Sequence, residues 1–232
     1  MKAVILAAGS NVRLQGLIGN TPKGLYPLNA KRDTLLSCLL AGIAEWDLSQ
    51  VILVAGANFS KFSRYCSQLP GINVEVIRAN PDYVKGPLFT FLTDLPYIDD
   101  EDAVVLPADL FISPEGYKFL QNSLGAGGVS LVTQELMPNH HGQVLVKGEI
   151  LPIQSLSDLT NARTILPISQ VTPAFAEFAQ EISQAGITRL IDALIFWQQD
   201  GRSISFSEVP AFFWVDVDTL EAMQRVQTYL KN

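Results

Sequence analysis

Cysteine, positive charge and long apolar runs are all scarce in this chain. The 232 residues include only two cysteines, Cys38 and Cys66, and both fall in segments with helical periodicity. Two isolated cysteines form no disulfide framework and lack metal-ligand spacing, so we expect buried, reduced thiols. No stretch approaches about 18 uninterrupted apolar residues, and the apolar run near Met1 is too short for a signal peptide. These absences predict a cytoplasmic protein that has no membrane partner.

Basic residues are outnumbered by acidic ones. The chain has 16 Lys and Arg against 23 Asp and Glu, which gives a net charge of −7. Proteins that bind nucleic acid usually carry a basic face or stripe. We therefore expect no nucleic acid partner, although one local cluster of positive groups could still hold a phosphate.

The pattern of apolar residues indicates an α/β fold. With 48% hydrophobic residues the chain can bury a sizeable core, and α/β domains often reach about 250 residues, so we expect one domain over 1–232. Five short apolar runs do not alternate with polar residues, as in strands buried on both faces. The runs are Ala3–Leu6, Val51–Ala55, Val74–Ile77, Ala103–Pro107 and Val129–Thr133. The segments with helical periodicity between them are Thr34–Trp46, Asn58–Gln68, Val84–Leu95 and Pro114–Asn122. This alternation predicts a mostly parallel, Rossmann-like sheet with helices on both faces.

The second half of the chain has a different character. Gln143–Lys147 and Ile150–Gln154 flank Gly148-Glu149, which predicts a small antiparallel hairpin. The stretch Leu156–Ser169 is polar and weakly periodic, so we expect a mobile loop there. The remaining predicted elements are a helix from Thr172-Pro173, a helix over Thr188–Gln199, strands over Ser203–Val209 and Phe212–Val215, and a helix over Thr219–Leu230.

The loop after the first strand carries the clearest functional signal. Small residues at positions 7–10 would let backbone N–H groups approach phosphate oxygens. Arg13 adds a planar fork for phosphate, and Lys23 adds a compact positive charge. The Gly-x-Gly-x-x-Gly pattern of a dinucleotide site fails because position 11 is Asn and Val12-Arg13 breaks the spacing, and no Gly-Lys-Ser/Thr of a Walker loop is present. From these residues alone, a phosphate site and an ordinary glycine turn both remain open.

This opening resembles a known family. Leu6-Ala7-Ala8-Gly9, Arg13-Leu14 and Pro22-Lys23-Gly24-Leu25 are similar to the start of the sugar-phosphate and choline-phosphate nucleotidyltransferases and of the MobA-like NTP transferases. Asn11 stands where the family has its second glycine, and Asn tolerates positive φ better than other residues with a side chain. The resemblance implies that Lys23 and Arg13 are catalytic. It also implies nucleotide contacts from Leu6, Ala7, Ala8, Gly9, Ser10 and Asn11.

Two aspartate segments are candidate metal ligands. Asp109 follows the strand Ala103–Pro107, and the carboxyl end of a central strand is where α/β folds bind ligands. Asp216 and Asp218 lie between a short strand and the last helix. From the residues alone, helix capping by Asp218 and loop hydrogen bonding by Asp109 are alternatives. The resemblance implies that Asp109 and Asp218 hold a catalytic Mg²⁺, with Asp216 in a supporting role.

A middle segment matches the part of the family that lies against the base and ribose. Its matching residues are Asn80, Tyr83, Gly86 and Thr90. A turn rich in Asn, Pro and Gly before a helix would explain them almost as well. The polar pair that many cytidylyltransferases carry is replaced here by Pro87-Leu88. The sequence therefore does not identify which nucleotide base is bound.

Two further groups have ordinary interpretations. The adjacent His140 and His141 lack metal-ligand spacing, so a solvated turn is expected. Trp197 and Trp214 are expected to pack in the core or at its rim rather than form a cage for a quaternary ammonium.

The resemblance implies a metal-dependent nucleotidyltransferase. It would move NMP from an NTP, with CTP favoured, to a sugar, polyol or choline phosphate and release pyrophosphate. Residues 1–135 would bind the NTP and residues 136–232 the acceptor. One alternative is a regulatory nucleotide-binding module without turnover, which Asn11 favours. Another is a glycosyltransferase using Asp216-Val217-Asp218, although that motif normally lies mid-chain. The sequence does not determine the oligomeric state.

Overall fold

A computed structural model describes residues 1–9, 12–98, 100–124, 127–137, 142–156 and 159–231. Its strands are β1 Lys2–Leu6, β2 Gln50–Ala55, β3 Val74–Arg78, β4 Ala103–Pro107, β5 Leu110–Ile112, β6 Ser130–Glu135, β7 Gln143–Val146, β8 Glu149–Pro152, β9 Arg163–Val171, β10 Ser205–Glu208 and β11 Trp214–Asp216. Its α-helices are α1 Gln15–Ile18, α2 Leu35–Ile43, α3 Phe59–Cys66, α4 Pro87–Phe91, α5 Pro114–Ser123, α6 Pro173–Ser183, α7 Leu190–Gln199 and α8 Leu220–Tyr229. Short 3-10 helices cover Val12–Leu14, Lys23–Leu25, Pro81–Lys85, Leu92–Tyr97 and Ile153–Ser155.

The central sheet has the strand order β10-β6-β9-β4-β1-β2-β3. Strands β4, β1, β2 and β3 are parallel to one another, whereas β9 runs antiparallel to both β4 and β6. A separate antiparallel pair joins β5 to β11. The predicted α/β class with a mostly parallel sheet is confirmed.

Each face of this sheet has its own core, which explains why the apolar runs do not alternate. Ala3 and Ile5 of β1 pack in one hydrophobic cluster with residues of α2, such as Leu39. Val4 of the same strand packs on the other face, in a cluster that includes Phe175. Because both faces are covered, the positions of β1 from Ala3 to Leu6 all favour apolar residues.

The predicted hairpin and the later elements are confirmed. Strands β7 and β8 pair antiparallel, and the turn between them uses Lys147 and Gly148, both with positive φ. Helices α6, α7 and α8 and strands β10 and β11 lie within a few residues of their predicted limits. Cys38 and Cys66 are both free thiols. Cys66 is buried as expected, and burial raises its pKa to about 11, whereas Cys38 is only partly buried.

The expected mobile loop over Leu156–Ser169 is wrong from Arg163 onward. That part forms β9, a nine-residue strand between β4 and β6. Polar residues of β9 are buried because the sheet and its surroundings supply partners; for example, Gln170 Nε2 donates to Asp102 Oδ2 at 3.0 Å. Pro167 cannot donate a ladder hydrogen bond, and the β6–β9 register shifts opposite it.

The single helix expected over Val84–Leu95 is also wrong. The segment is divided into a 3-10 helix that ends at Lys85, the short α4, and a second 3-10 helix over Leu92–Tyr97. Pro87 begins α4 and Pro96 lies inside the second 3-10 helix. Prolines lack the N–H that a continuous α-helix needs, so the helix is interrupted. Within the described ranges, no helix has the length and apolarity needed to cross a bilayer.

The second of these 3-10 helices contains a buried acid, Asp94. Its side chain is 0% exposed, and neither carboxylate oxygen has a hydrogen-bond partner among the described residues. Burial raises the pKa of Asp94 well above its ordinary value. The folded state therefore holds this group protonated at pH values where the unfolded chain ionises it.

We expect Asp94→Asn to stabilise the protein, and to do so more at pH 8 than at pH 5.5. For an acid whose pKa is raised by folding, stability falls as the pH rises from the unfolded pKa towards the folded one, by about 1.4 kcal/mol for each unit between them. The amide cannot ionise and so removes this dependence. Thermal unfolding at both pH values measures the effect, with the exposed Asp47→Asn as control. A gap between variant and wild type that does not widen with pH would contradict the expectation.

Candidate active site

A cleft of about 800 Å³ lies at the carboxyl ends of β1 and β4. The chain passes from β1 to β2 and β3 on one side, then returns to β4 on the other side of β1. This reversal of strand order leaves a crevice where α/β folds bind ligands. The loop after β1 lines the cleft with Leu6, Ala7, Ala8, Gly9 and Arg13.

Three carboxylates meet at the edge of this cleft because β5 pairs with β11. Leu110 lies opposite Asp216 in that pair, and Val217 N donates to the Asp109 carbonyl at 3.0 Å. One carboxylate oxygen each from Asp109, Asp216 and Asp218 lies within 4.8 Å of the others. Two segments about a hundred residues apart in the sequence thus form one acidic triad.

Lys23 lies against this triad. Its ammonium forms ion pairs with Asp109 Oδ2 and Asp218 Oδ1, and its side chain is 11% exposed. Burial alone would lower the pKa of Lys23, but the charges and hydrogen bonds of the two aspartates outweigh it and raise the pKa above 10.5. Lys23 is therefore fully charged at neutral pH.

Gly24 lets the Lys23 segment pack closely on the strand end. A Cβ at Gly24 would lie 3.3 Å from the Ala108 carbonyl oxygen. That contact is tighter than a side chain normally accepts, so glycine suits this close backbone approach.

Arg13 forms the outer edge of the charged cluster. Its Nη1 lies 3.1 Å from Asp218 Oδ2, and its side chain is 73% exposed. Exposed ion pairs of this kind contribute little to stability. Arg13 can therefore turn from Asp218 to a phosphate at low cost.

Asp216 is a full member of the carboxylate cluster, whereas its sequence position indicated only a supporting role. Asp216 is an exposed residue, yet loss of solvation around its carboxyl and the charges of Asp109 and Asp218 raise its pKa to about 7. Asp218 is not the cap of α8, because Thr219 Oγ1 accepts the capping hydrogen bond from Ala222 N at 3.2 Å. Hard carboxylate oxygens at this spacing fit a divalent cation such as Mg²⁺.

A family model for the MobA-like NTP transferase domain matches residues 3–192. The chain belongs to this family. A search of curated proteins gives no match. The predicted family and nucleotidyltransferase class are confirmed.

Two solved structures show the same fold over almost the whole chain. The inositol-1-phosphate CTP transferase from T. maritima has a TM-score of 0.82 at 17% identity, covering 99% of this chain and 94% of its own. The CTP:phosphocholine cytidylyltransferase from Streptococcus pneumoniae has a TM-score of 0.76 at 16% identity, covering 99% and 98%.

Only some residues of the middle segment, which was matched to the family's base and ribose contacts, line the cleft. Tyr83, Gly86 and Thr90 line it. Asn80 is exposed and is not among the lining residues; its Oδ1 instead accepts from Asp82 N at 2.8 Å and caps a 3-10 helix.

The loop after β2 supplies residues that sequence analysis missed. Ala57 and Asn58 both line the cleft. They belong to no recognised motif, and the only available signal was their position just after a buried parallel strand.

Some predicted residues lie elsewhere or are not described. Trp197 packs against Phe175 and Phe178, and its indole N–H donates to the Ser203 carbonyl at 3.1 Å. Trp214 is buried in β11, so the predicted packing role of both tryptophans is confirmed. Ser10, Asn11, His140 and His141 lie outside the described residues.

Gly86 is the glycine of this site whose conformation matters most. Its φ is +150°, and a Cβ there would lie 2.5 Å from the Thr188 carbonyl oxygen, which accepts from Leu88 N. We expect Gly86→Ala to destabilise the protein by about 1–3 kcal/mol. We also expect a higher KM for NTP, because the turn forms part of the cleft.

Denaturant unfolding and steady-state kinetics would measure both effects. Gly16→Ala is a suitable control, since a Cβ at Gly16 meets no atom within 4 Å and alanine favours the helix. If the Gly86 variant keeps wild-type stability and KM, the turn has no such constraint.

Proposed function

We propose that this chain is a divalent-metal-dependent nucleotidyltransferase that moves NMP from an NTP to a phosphorylated small molecule. The observation that carries the proposal is the Lys23 ammonium paired with Asp109 and Asp218 at the switch-point cleft. The site places a buried ammonium beside carboxylate oxygens that could also bind a divalent cation. The chain that carries it belongs to an NTP transferase family. Transfer between phosphates requires this kind of charge neutralisation more than covalent catalysis.

Asp109, Asp216 and Asp218 would hold the metal, for which we favour Mg²⁺. When bound, the ion supplies Lewis-acid stabilisation of charge on phosphate oxygens. The carboxylates fit this role because magnesium takes hard oxygen ligands, which carboxylates, substrate phosphates and water can supply together.

The chain's own residues position the reactants. An acceptor phosphate oxygen attacks the α-phosphorus in line; the new P–O bond forms as the bond to the β-phosphate oxygen breaks, and pyrophosphate leaves. The Lys23 ammonium offsets repulsion between acceptor and α-phosphate, and Arg13 binds the β and γ phosphates. No general base is required, because a phosphate dianion already carries the attacking electron pair. The first loop, with Gly86 and Thr90, holds the nucleotide.

The two related structures guide the substrate class. Those two proteins are named for CTP together with inositol-1-phosphate and with phosphocholine. We therefore favour CTP as donor and a sugar, polyol or choline phosphate as acceptor. Residues 1–135 would bind the NTP, and residues 136–232 would bind the acceptor.

A substrate matrix tests this function. Each of the four NTPs is combined with a sugar 1-phosphate, inositol phosphate or choline phosphate in the presence of Mg²⁺. Pyrophosphate release is measured, and ³¹P NMR identifies the diphosphate-linked product. We expect release that depends on both an acceptor and the metal, and is fastest with CTP. Nucleotide binding without pyrophosphate release from any combination would favour the regulatory module instead.

A further inference from the structure

Lys23 contacts the same carboxylate oxygens that a divalent cation would need. Its ammonium pairs with Asp109 Oδ2 and Asp218 Oδ1, two members of the triad whose oxygens lie within 4.8 Å. An ammonium donates hydrogen bonds along the lone pairs that metal ligation also uses. The amine and the metal therefore have overlapping positions.

We propose that Lys23 and the divalent cation compete for Asp109 and Asp218, so that the metal binds tightly only once an NTP phosphate draws the ammonium away. This inference rests on the proposed function and adds to it an order of assembly. The catalytic lysine acts as an internal counter-ion that couples metal binding to nucleotide binding.

Burial makes the competition strong. The Lys23 side chain is 11% exposed and that of Asp109 is 22% exposed, so this pair is the more buried one, whereas Asp218 is 44% exposed. Charges at such positions are screened much less by water and salt than surface charges. A divalent ion at these oxygens would lie close to a fixed ammonium, and their repulsion would weaken metal binding. Arg13 adds less repulsion, because it is exposed and pairs with Asp218 Oδ2 rather than with the Oδ1 that Lys23 contacts.

Release of Lys23 is within reach of its side chain. Lysine carries a compact charge on a flexible four-carbon stem. Lys23 lines the same cleft as Gly9 and Arg13, where the nucleotide phosphates are proposed to bind. A phosphate there offers the ammonium another anionic partner. By thermodynamic reciprocity, the metal then raises nucleotide affinity by the same factor that the nucleotide raises metal affinity.

Mn²⁺ binding to the nucleotide-free protein tests the competition. Free Mn²⁺ is measured by electron paramagnetic resonance for the wild type, Lys23→Met and Lys23→Gln. Lys61→Met is the matched control, since Lys61 is exposed and its ammonium contacts the Asn20 carbonyl. We expect both Lys23 variants to bind Mn²⁺ about tenfold more tightly than the wild type, because one close positive charge is removed. The Lys61 variant should match the wild type. Affinities for the Lys23 variants that equal or fall below the wild-type value would overturn the proposal.

A second measurement uses the unaltered protein, in case the Lys23 variants fold poorly. In ¹⁵N-lysine-labelled protein, the hydrogen-bonded Lys23 ammonium is followed by NMR during a Mg²⁺ titration. We expect its signal to shift or exchange away as the metal binds. A signal that stays unchanged at Mg²⁺ concentrations that saturate the nucleotide-free protein would overturn the competition.

These outcomes are separable from those of the substrate matrix. If wild-type protein transfers nucleotide but the Lys23 variants bind Mn²⁺ no more tightly, the competition fails and the proposed function stands. If the variants bind Mn²⁺ more tightly but no substrate releases pyrophosphate, the competition stands and the proposed function fails.

Discussion

Replacing Lys23 with alanine is expected to lower kcat/KM by about 10²–10³ while the fold survives. Loss of one preorganised contact to charge that develops in the transition state typically costs this much. The contact is preorganised because burial and two aspartates already hold the Lys23 ammonium at the cleft. Initial rates of pyrophosphate release with the preferred NTP and acceptor measure the loss.

Two controls accompany this variant. Lys61→Ala removes a positive charge from an exposed site and should leave kcat/KM unchanged. Lys23→Arg keeps the charge but replaces a compact ammonium with a planar fork, so it should recover only part of the activity. Circular dichroism confirms that each variant is folded. A Lys23→Ala protein with wild-type kcat/KM would remove Lys23 from the mechanism.

Asp109→Asn and Asp218→Asn are each expected to raise the Mg²⁺ concentration needed for half-maximal activity, and their effects should not add when combined. Both carboxylates would serve one ion, and residues that act as a unit give non-additive losses. We expect each single variant to lose about 10²–10³ in kcat at fixed Mg²⁺, by analogy with other transition-state contacts. The double variant should lose little more.

Magnesium titrations of the two single variants and the double variant measure this cycle. Asp82→Asn is a matched control, because Asp82 is a half-exposed carboxylate paired with Lys85 outside the cleft lining. Asp216→Asn tests the third member of the triad and should also raise the Mg²⁺ requirement. If the double loss equals the sum of the single losses in free energy, the aspartates do not share one ion.

Local patterns made several features of this protein predictable. The apolar runs at Ala3–Leu6 and Ala103–Pro107 predicted buried strands because covering both faces of a sheet requires apolar residues at every position. The loop after β1 and the Lys23 segment have recognisable residue patterns. Close approach of the backbone to phosphate requires small residues, and the site also requires a positively charged side chain. Asp109 followed from its place at a strand end.

Other features depended on contacts that no local window contains. The segment from Arg163 to Ser169 is polar and contains Pro167, so by itself it resembles a loop; pairing with β4 and β6 makes it a strand. Asn80 matches the family's pattern, but its side-chain oxygen accepts a hydrogen bond from the backbone N–H of Asp82, two residues away.

The sequence by itself determined the fold class, the family and the chemical types of the site residues, because these are expressed in short patterns and single side chains. Only the tertiary structure decided that Asp216 joins the triad and that Lys23 lies between Asp109 and Asp218. Both depend on the β5–β11 pair, which joins residues about a hundred positions apart. Burial and distance set the charge interactions there, and both arise only when separate segments pack together.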